Sequence, residues 1–587
     1  MKTIIFDTEV YKNVFLLCGL VLEDNEYFAI WGGDNVAEEN IRSLFDSSNC
    51  FISFNGIKYD MPIIGYYLTG KTTEELKDLG DEIIEGNLMP WEAERKYGFR
   101  IPKIDHIDLI EVAPSFVSLK TYGARMNMPT VQDLPYHHTA IITDEQKPKL
   151  QEYCFNDVKT TAELYRRLEG QIKLRVEISK EYQVDCRSKS DSQVAEQMFL
   201  KRLDIKRKQI GIPAYVRYKM PSFIKFYSDE LIQLAERIEE HLFIVKKPSG
   251  HVELPAFLKD DLVRVGDGIY QMGVGGLHSQ HDKKDCYVSD DNWCIMDYDV
   301  ASYYPAIMLN CNLVPMNTGE KFLEEYRTLF NRRLEAKREK NMVIADSLRI
   351  ALNGTFGKTA NCYSPLYSPD VMINITLTGQ LLLLNVIEQL TRHNIEVISA
   401  NTDGIMLYYR RIDQHVVNAV INHTSEVTKF IFEATPYRCV ALKDVNNYFA
   451  VKVDRSVKVK GIYSAPTLSK NPTAPIVSRA VGEWLANGTP FNETLRKGNI
   501  ENFITVRKVT GGGVQGDKYL GKVVRWYQTK EQLPPITYAS NGNKVAKSSG
   551  ARECMKLPVD IPEDLDYDWY ENEILKVIKD IGASRFL

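Results

Sequence analysis

The sequence lacks the features that mark secreted, membrane-spanning and metal-cluster proteins. None of its ten cysteines stands in a Cys-x-x-Cys spacing, which excludes the common zinc and iron–sulfur motifs and predicts scattered, reduced thiols. The apolar stretch of residues 14–22 is too short to cross a bilayer, and the apolar opening ends at Asp7 and Glu9 instead of continuing as a signal peptide. The chain also has no tandem repeats or low-complexity tracts. We therefore expect a cytoplasmic protein without a membrane partner.

An excess of positive charge is missing as well. The formal net charge is −5, so a nucleic-acid ligand would need a locally basic track, because the chain as a whole repels phosphate. With 44% hydrophobic and 26% charged residues, the composition is typical of folded globular proteins and excludes a disordered chain. A length of 587 residues predicts several domains.

Two aspartates, each at the end of an apolar strand, are the most informative features present. Residues 294–300 predict a buried strand that leads through Asp299, and Pro305 helps to begin the next helix. Residues 396–400 and 405–409 predict two strands joined by a hairpin at Asp403-Gly404. Two carboxylates on adjacent strand ends can hold two divalent cations about 4 Å apart, which is the arrangement used for in-line phosphoryl transfer.

Basic side chains at helical spacing lie between these aspartates. Arg333 and Lys337 are four residues apart, and so are Arg349 and Asn353, so each pair shares one helix face. We predict two antiparallel helices with their cations facing inward, a hairpin suited to a triphosphate. Residues 331–340 alone would be interpreted as a solvated basic helix. Their order between the two aspartates favours the phosphate site.

The N-terminal third contains a second set of carboxylates. Asp7 and Glu9 point to the same side of a predicted strand, because side chains alternate along it. Asn55 and Asp60 follow the apolar residues 50–54, and Tyr153 and Asp157 share one face of a predicted helix. Four carboxylates at one place would repel one another unless metal ions neutralised them.

Both sets are similar to motifs of the family B DNA polymerases, in the compact form of many bacteriophages. That family's Asp-x-x-Ser-Leu-Tyr-Pro is matched by Asp299, Ser302, Tyr304 and Pro305, with Tyr303 in place of Leu. Its Lys-x-x-x-Asn-Ser-x-Tyr-Gly resembles Arg349, Asn353, Gly354, Phe356 and Gly357, and its Tyr-x-Asp-Thr-Asp-Ser resembles Ser399, Asn401, Thr402, Asp403 and Gly404. Asn401 stands where the family has a carboxylate. The N-terminal set resembles the DnaQ-like 3′–5′ exonucleases.

The resemblance implies two Mg²⁺ ions in each active site, with Mn²⁺ as a substitute. The implied metal ligands are Asp299, the Val300 carbonyl and Asp403 at one site, and Asp7, Glu9, Asp60 and Asp157 at the other, where Tyr153 would orient water. The implied dNTP-binding residues are Arg333, Lys337, Arg349, Asn353, Tyr304, Ser302 and Val300. The implied DNA contacts are Asn55, Tyr270, Gly275, Gly276, Tyr448, Lys460 and Gly461.

The implied fold class is a multidomain α+β protein, an RNase H-like exonuclease domain followed by a right-hand polymerase. The implied domains are the exonuclease (1–178), a connecting segment and first palm part (179–317), fingers (318–358), second palm part (359–465) and thumb (466–587). The glycine-rich segment 270–278 would contact the template, or it would be a hairpin without a ligand. The ribbon around residues 511–527 would bind duplex DNA, or its aromatics would be core.

The resemblance also implies substrates and partners. They are primer–template DNA and dNTPs, with a primase, helicase or single-strand-binding protein as further partners of a monomeric enzyme, in the host cytoplasm if it is phage-encoded. In the resembled family, protein-primed phage polymerases carry insertions between these motifs that hold a terminal protein. The intervals here are short, 54 residues from Asp299 to Asn353 and 50 from there to Asp403, so the resemblance implies no terminal protein. Two alternatives remain. One is a nuclease with an inactive polymerase region, which Asn401 supports, and the other is an RNA-templated polymerase.

Overall fold

The structure, a computed structural model, describes residues 2–46, 48–206, 210–273, 275–280 and 284–587. It is a mixed α/β protein built around three larger sheets. Val274, in the glycine-rich segment, lies outside the described residues.

The N-terminal sheet has the strand order β3-β2-β1-β4-β5, with β1 antiparallel to β2 and parallel to β4. Alternate residues of β1 enter different cores: Ile5 packs with α7 on one face, whereas Ile4 and Phe6 pack with α1–α3 on the other. The N-terminal region is thus a mixed sheet with helices packed on both faces. Its elements are β1 (Thr3–Tyr11), β2 (Val14–Val21), β3 (Glu26–Trp31), α1 (Asn35–Phe45), β4 (Cys50–Ser53), α2 (Asp60–Tyr67), α3 (Thr73–Glu85), α4 (Pro90–Tyr97), β5 (Asp105–Asp108), α5 (Leu109–Val112), α6 (Leu119–Arg125) and α7 (Lys147–Arg167).

A connecting region leads from this sheet to the central one. Helix α9 (Asp191–Arg202) packs closely on helix α14 (Met342–Thr359) of the central region. Gly354 leaves room for the backbone of α9, because a Cβ there would lie 2.9 Å from the Asp191 carbonyl oxygen. The predicted domain boundary at residue 178 lies within helix α8. The connecting elements are α8 (Glu169–Tyr182), α9 (Asp191–Arg202), β6 (Tyr215–Val216), α10 (Asp229–Glu240), β7 (Phe243–Ile244) and α11 (Ala256–Lys259).

The central sheet has ten strands in the order β17-β16-β15-β12-β14-β13-β10-β9-β8, with β11 paired to β15. Its strands are β8 (Val263–Val265), β9 (Gly268–Gln271), β10 (His278–Ser279), β11 (Asp285–Val288), β12 (Trp293–Val300), β13 (Glu396–Asn401), β14 (Gly404–Arg410), β15 (Phe432–Asp444), β16 (Asn447–Lys452) and β17 (Val457–Val459). Strand β12 lies between β14 and β15 and carries Asp299 at its end.

Helices pack on this sheet and extend from it. They are α12 (Tyr303–Asn310), α13 (Lys321–Arg338), α14 (Met342–Thr359), α15 (Pro369–Thr391) and α16 (Gln414–Thr428). Helices α13 and α14 form the predicted antiparallel pair, and the Asn341 side chain caps α14 by accepting from the Ile344 amide. Helix α15 is long and apolar enough to cross a membrane by composition, but 89% of its most apolar window is buried inside the protein, as in a core helix.

The C-terminal region combines helices with a four-stranded sheet, β20-β18-β19-β21. Its elements are α17 (Pro475–Asn487), α18 (Phe491–Arg496), α19 (Ile500–Phe503), β18 (Thr505–Gln515), β19 (Lys518–Gln528), β20 (Thr537–Tyr538), β21 (Ala551–Glu553) and α20 (Tyr567–Asp580). Trp526 is fully buried and Tyr527 almost so, which favours the core interpretation of these two aromatics, whereas Tyr519 at the ribbon's tip is exposed.

The C-terminal sheet is docked onto the N-terminal region through a buried arginine. Arg525 is 0% exposed, and its guanidinium donates to the carbonyl oxygens of Met128 and Pro129 on one side and of Cys554 and Met555 on the other. Backbone hydrogen bonds join the same two segments. The two regions therefore share one polar and apolar core.

Candidate active sites

The first site lies where β12 meets the β13–β14 hairpin. Asp299 pairs with Gly404 across the two antiparallel strands, and the Val300 amide donates to the Asp403 carbonyl oxygen at 2.8 Å. This pairing confirms that the two aspartates stand on adjacent strand ends. The hairpin turns at Thr402-Asp403, one residue earlier than predicted, and Thr402 has φ +51°.

Glycine is needed at position 404 because a side chain would not fit there, and not because the turn requires a positive φ. A Cβ at this position would lie 2.2 Å from Oδ1 of Asp299, so the Asp299 carboxylate occupies the volume that a side chain would fill. The missing side chain thus places the carboxylate over the hairpin that carries Asp403.

Burial and a neighbouring carboxylate raise the proton affinity of each of the two aspartates. Burial, followed by the charge of Asp297, raises the pKa of Asp299, and burial, followed by Asp299, raises that of Asp403. Lys458 and Lys460 oppose both shifts. Within the part of the chain that the structure describes, neither Asp299 nor Asp403 has an ion-pair partner within 4 Å. Two neighbouring carboxylates that have no cationic side chain paired with them fit a divalent cation.

Cations from the helical pair reach this site. Arg333 is 8% exposed and donates from Nη1 to the hydroxyl of Ser302, three residues after Asp299. Burial, followed by the charge of Arg349, lowers the pKa of Arg333. Lys337 lies 3.9 Å from Glu433, the residue paired with Asp299 on β15. Arg349 and Asn353 line a cavity of about 900 Å³ between α14 and the N-terminal region. Arg349 is half exposed, pairs with Asp346 and lies near enough to lower the pKa of Arg333, whereas the described residues that line its cavity include neither Asp299 nor Asp403.

The glycine-rich segment closes another side of the site. The Thr402 amide donates to the Leu277 carbonyl oxygen at 2.8 Å, and Gly276 lies so close to Thr402 that a Cβ would be 2.9 Å from its Cα. Tyr304 donates its hydroxyl to the Gly275 carbonyl oxygen at 2.8 Å, and its ring lies 4.3 Å from that of Phe356. Gly275 and Gly276 are therefore part of the first site.

Two predicted DNA contacts are wrong for their side chains. Tyr270 is 0% exposed and Tyr448 is 7% exposed, and both rings belong to hydrophobic clusters of the central sheet. An apolar strand has two faces, and the sequence does not tell which face a tyrosine takes. Lys460 and Gly461 are exposed beside Tyr448, whose carbonyl oxygen accepts from the Lys460 amide.

The second site joins β1, the start of α2 and α7. Asp60 is buried, and its Oδ1 accepts from the Thr8 amide at 3.0 Å and from the Thr8 hydroxyl, which places it beside Asp7 and Glu9. Asp157 and Tyr153 face the same place from α7, with a hydrogen bond between their side chains. All the predicted carboxylates of this set are therefore brought together.

Burial and mutual repulsion dominate the electrostatics of the second site. Burial, then the charges of Asp60, Asp157 and Glu9, raise the pKa of Asp7 well above its usual range, and Glu9 behaves likewise. Burial raises the pKa of Asp60 and of Asp157 to about 6. Such a cluster of oxygen ligands fits hard divalent cations such as Mg²⁺.

Several residues of the two sites carry no local sequence signal. Lys120 lies near Glu9 and Asp157, and its positive charge opposes the rise in the pKa of both carboxyl groups. Its ammonium group is paired with Asp133 at 2.7 Å. Cys154 lies on α7 with its sulfur 3.9 Å from Oδ2 of Asp7. A second group of such residues supports the backbone and the central sheet.

Asp108 belongs to this second group. Its carboxylate accepts from the amides of Asn55 and Ile57 and thereby fixes the loop before Asp60, with Asn55 in the left-handed region at φ +67°. On the central sheet, the ion pair Lys458–Asp297 at 3.2 Å lies behind Asp299. These contacts form only through long-range folding.

No protein-family model matches the chain. A stretch of 145 residues, 24% of this chain, is 28% identical to DNA polymerase 1 of Sulfolobus acidocaldarius. This stretch is similar to a DNA polymerase. It spans only 15% of that relative's length. Among solved structures, the family B DNA polymerase of the archaeon Pyrobaculum calidifontis aligns with 100% of this chain and 78% of its own, at a TM-score of 0.41 and 13% identity.

Proposed function

We propose that the chain is a template-directed DNA polymerase of the family B type, which extends a primer 3′ end with dNTPs and proofreads with a 3′–5′ exonuclease. The observation that carries the proposal is the convergence of Asp299 and Asp403 at one sheet edge, with buried Arg333 hydrogen-bonded to Ser302 beside them. A second carboxylate cluster in the N-terminal region supports the nuclease function.

At the polymerase site, the chain binds and orients the triphosphate. Mg²⁺, or Mn²⁺ in its place, would be held by Asp299, Asp403 and the Val300 carbonyl, and would activate the primer 3′-OH and neutralise the phosphates. Arg333, Lys337 and Arg349 supply positive charge to the triphosphate, with Asn353 on the same helix face as Arg349. Tyr304, fixed by Gly275 and Phe356, would lie under the sugar and exclude a 2′-hydroxyl.

At the exonuclease site, Asp7, Glu9, Asp60 and Asp157 would hold two Mg²⁺ ions. Tyr153 is held by Asp157 and would orient the attacking water. Asn55, on the loop anchored by Asp108, would contact the displaced strand.

The region assignments follow from these sites. The central sheet would be the palm, α13 and α14 the fingers, and the C-terminal region the thumb. Primer–template DNA and dNTPs would be the substrates in phage genome replication from a nucleic-acid primer. A primase, helicase or single-strand-binding protein would be partners of a monomeric cytoplasmic enzyme, and no terminal protein is expected.

One observation favours a second function, a nuclease with an inactive polymerase region. Asn401 takes a carboxylate position, and its amide donates to Asn446 at 3.3 Å instead of holding a cation. Asp299, Asp403 and Arg333 are nonetheless present and grouped, which favours the active enzyme.

Primer extension on a defined template, with Mg²⁺ and each nucleotide class, separates these functions. Wild type should extend with dNTPs and digest single strands, Asp403→Ala should lose extension alone, and Asp7→Ala should lose digestion alone. The expected loss is several kcal/mol of transition-state stabilisation, roughly 10³-fold in rate. An inert wild type that only Asn401→Asp restores would establish the inactive polymerase.

A further inference from the structure

The segment after β17 is held in one conformation beside the polymerase site. Gly461 has φ +64°, and a Cβ there would lie 2.1 Å from the Asn446 carbonyl oxygen, so the chain passes directly over the β15–β16 turn. The Ile462 amide donates to Asn447 Oδ1 at 2.7 Å, and Asn446 accepts from Asn401 of the carboxylate hairpin. Lys460 to Ser464, here called the primer segment, is thereby tied to the hairpin of Asp403.

Lys470 clamps this segment from the opposite side. Its ammonium donates to the Gly461 carbonyl oxygen at 2.6 Å, to the Ser464 carbonyl oxygen at 2.6 Å and to the Ser464 hydroxyl at 2.8 Å. All three of its donors are therefore used on the primer segment. Lys470 has no carboxylate within 4 Å among the described residues, so its charge is spent on these oxygens.

The loop that carries Lys470 is anchored to the exonuclease region. Arg125 donates from Nε to Asn471 Oδ1 at 2.7 Å and from Nη1 to the Leu468 carbonyl oxygen at 2.5 Å and the Ser115 hydroxyl at 2.9 Å. Leu468 also packs on the hydrophobic core of the N-terminal sheet. The loop that carries Lys470 therefore connects the primer segment to the N-terminal region.

We propose that Lys470 is a positioning residue that sets the primer segment, and with it the primer 3′ end, over Asp299 and Asp403. The inference rests on the proposed function, since the primer is the strand being held. Lys470 does not touch the reacting atoms in this assignment; it acts through Gly461 and Ser464. Loosening the segment should favour digestion of the primer over its extension, because the exonuclease residues are untouched.

The test compares Lys470→Met, Lys470→Arg and a control, Lys497→Met, which removes an exposed lysine of the C-terminal region that is paired with Glu493. Three measurements are made on each: digestion of a single-stranded oligonucleotide, extension of a matched primer–template, and hydrogen exchange of the amides of residues 460–464. For Lys470→Met we expect unchanged single-strand digestion, about a tenfold rise in the ratio of primer digestion to extension, and faster exchange at 462–464. Lys470→Arg should keep the ratio of primer digestion to extension close to that of wild type, and Lys497→Met should match wild type in all three measurements.

The outcomes separate this inference from the proposed function. A wild type that neither extends nor digests refutes the proposed function, whereas faster exchange in Lys470→Met still tests the clamp. An active wild type whose ratio and exchange are unchanged in Lys470→Met overturns the inference. If Lys470→Met does not fold, Arg125→Gln loosens the same loop from the other side; the same change in ratio supports the inference, and an unchanged ratio overturns it.

Discussion

Gly404→Ala should slow extension about 10²-fold while barely affecting the fold. The new Cβ would start 2.2 Å from Oδ1 of Asp299. Non-bonded heavy atoms are most stable about 3.5 Å apart, so the carboxylate must move by about 1 Å or more. A displacement of that size at a reacting centre costs about 10²-fold in rate, or about 2.7 kcal/mol.

The stability cost of the same change is small, because the obstructing atom is the end of one short side chain that can rotate away. We expect a loss of about 1 kcal/mol, since the Tyr298 carbonyl oxygen, 3.1 Å from the new Cβ, must also adjust slightly. The matched control is Gly170→Ala in helix α8, where a Cβ meets open space. It should leave extension unchanged and stabilise the helix by about 0.5–1 kcal/mol.

The assay is single-turnover extension of a primer by one nucleotide, with single-strand digestion as the internal control and urea denaturation for stability. Gly404→Ala should extend about 10²-fold more slowly and keep digestion. Extension at the wild-type rate would show that Asp299 does not work from the position over Gly404, and the polymerase mechanism given above would be refuted. Loss of both activities together with the fold would instead contradict the small stability cost.

Three further outcomes are expected. Tyr304→Ala should raise ribonucleotide incorporation relative to dNTPs, measured by competitive extension; unchanged discrimination would remove the ring from sugar selection. Asn401→Asp should change the Mg²⁺ optimum only modestly, since it adds negative charge beside two aspartates; a large gain in activity would contradict this. Burial lowers the pKa of His106 to about 4, because the folded protein favours the neutral imidazole. The stability that neutral His106 contributes is therefore fully present above pH 6.5 and is lost as the pH falls towards 4. Stability curves of wild type and His106→Asn should therefore converge by at most about 3 kcal/mol on acidification, and parallel curves would exclude the shift.

Strand periodicity and motif order predicted the parts of the molecule that local sequence controls. The strands that end at Asp299 and around Asp403 and the antiparallel helices are present. Adjacency of Asp299 to Asp403 could be predicted because an apolar strand and a hairpin of the same sheet have few ways to pair.

Contacts set by tertiary packing could not be predicted. Tyr270 is buried although its segment is rich in glycine, because the register with β8 and β10 turns its ring into the core. Lys458 reaches Asp297 only after β15 and β16 have brought β17 to that side of the sheet. Lys120 has no motif around it and gains significance solely from the carboxylates that fold around it.

The buried guanidinium of Arg525 has a consequence for how the chain can be divided. Its hydrogen bonds join residues nearly four hundred positions apart in sequence, across the whole central region. A fragment that ended after the N-terminal sheet would expose the Ala124 and Val131 surface that now packs on Val506 and Val523. The two chemistries can therefore be separated by changing single carboxylates, but cutting the chain between them removes part of the interior of each piece. The N-terminal and C-terminal regions therefore depend on each other for a complete interior.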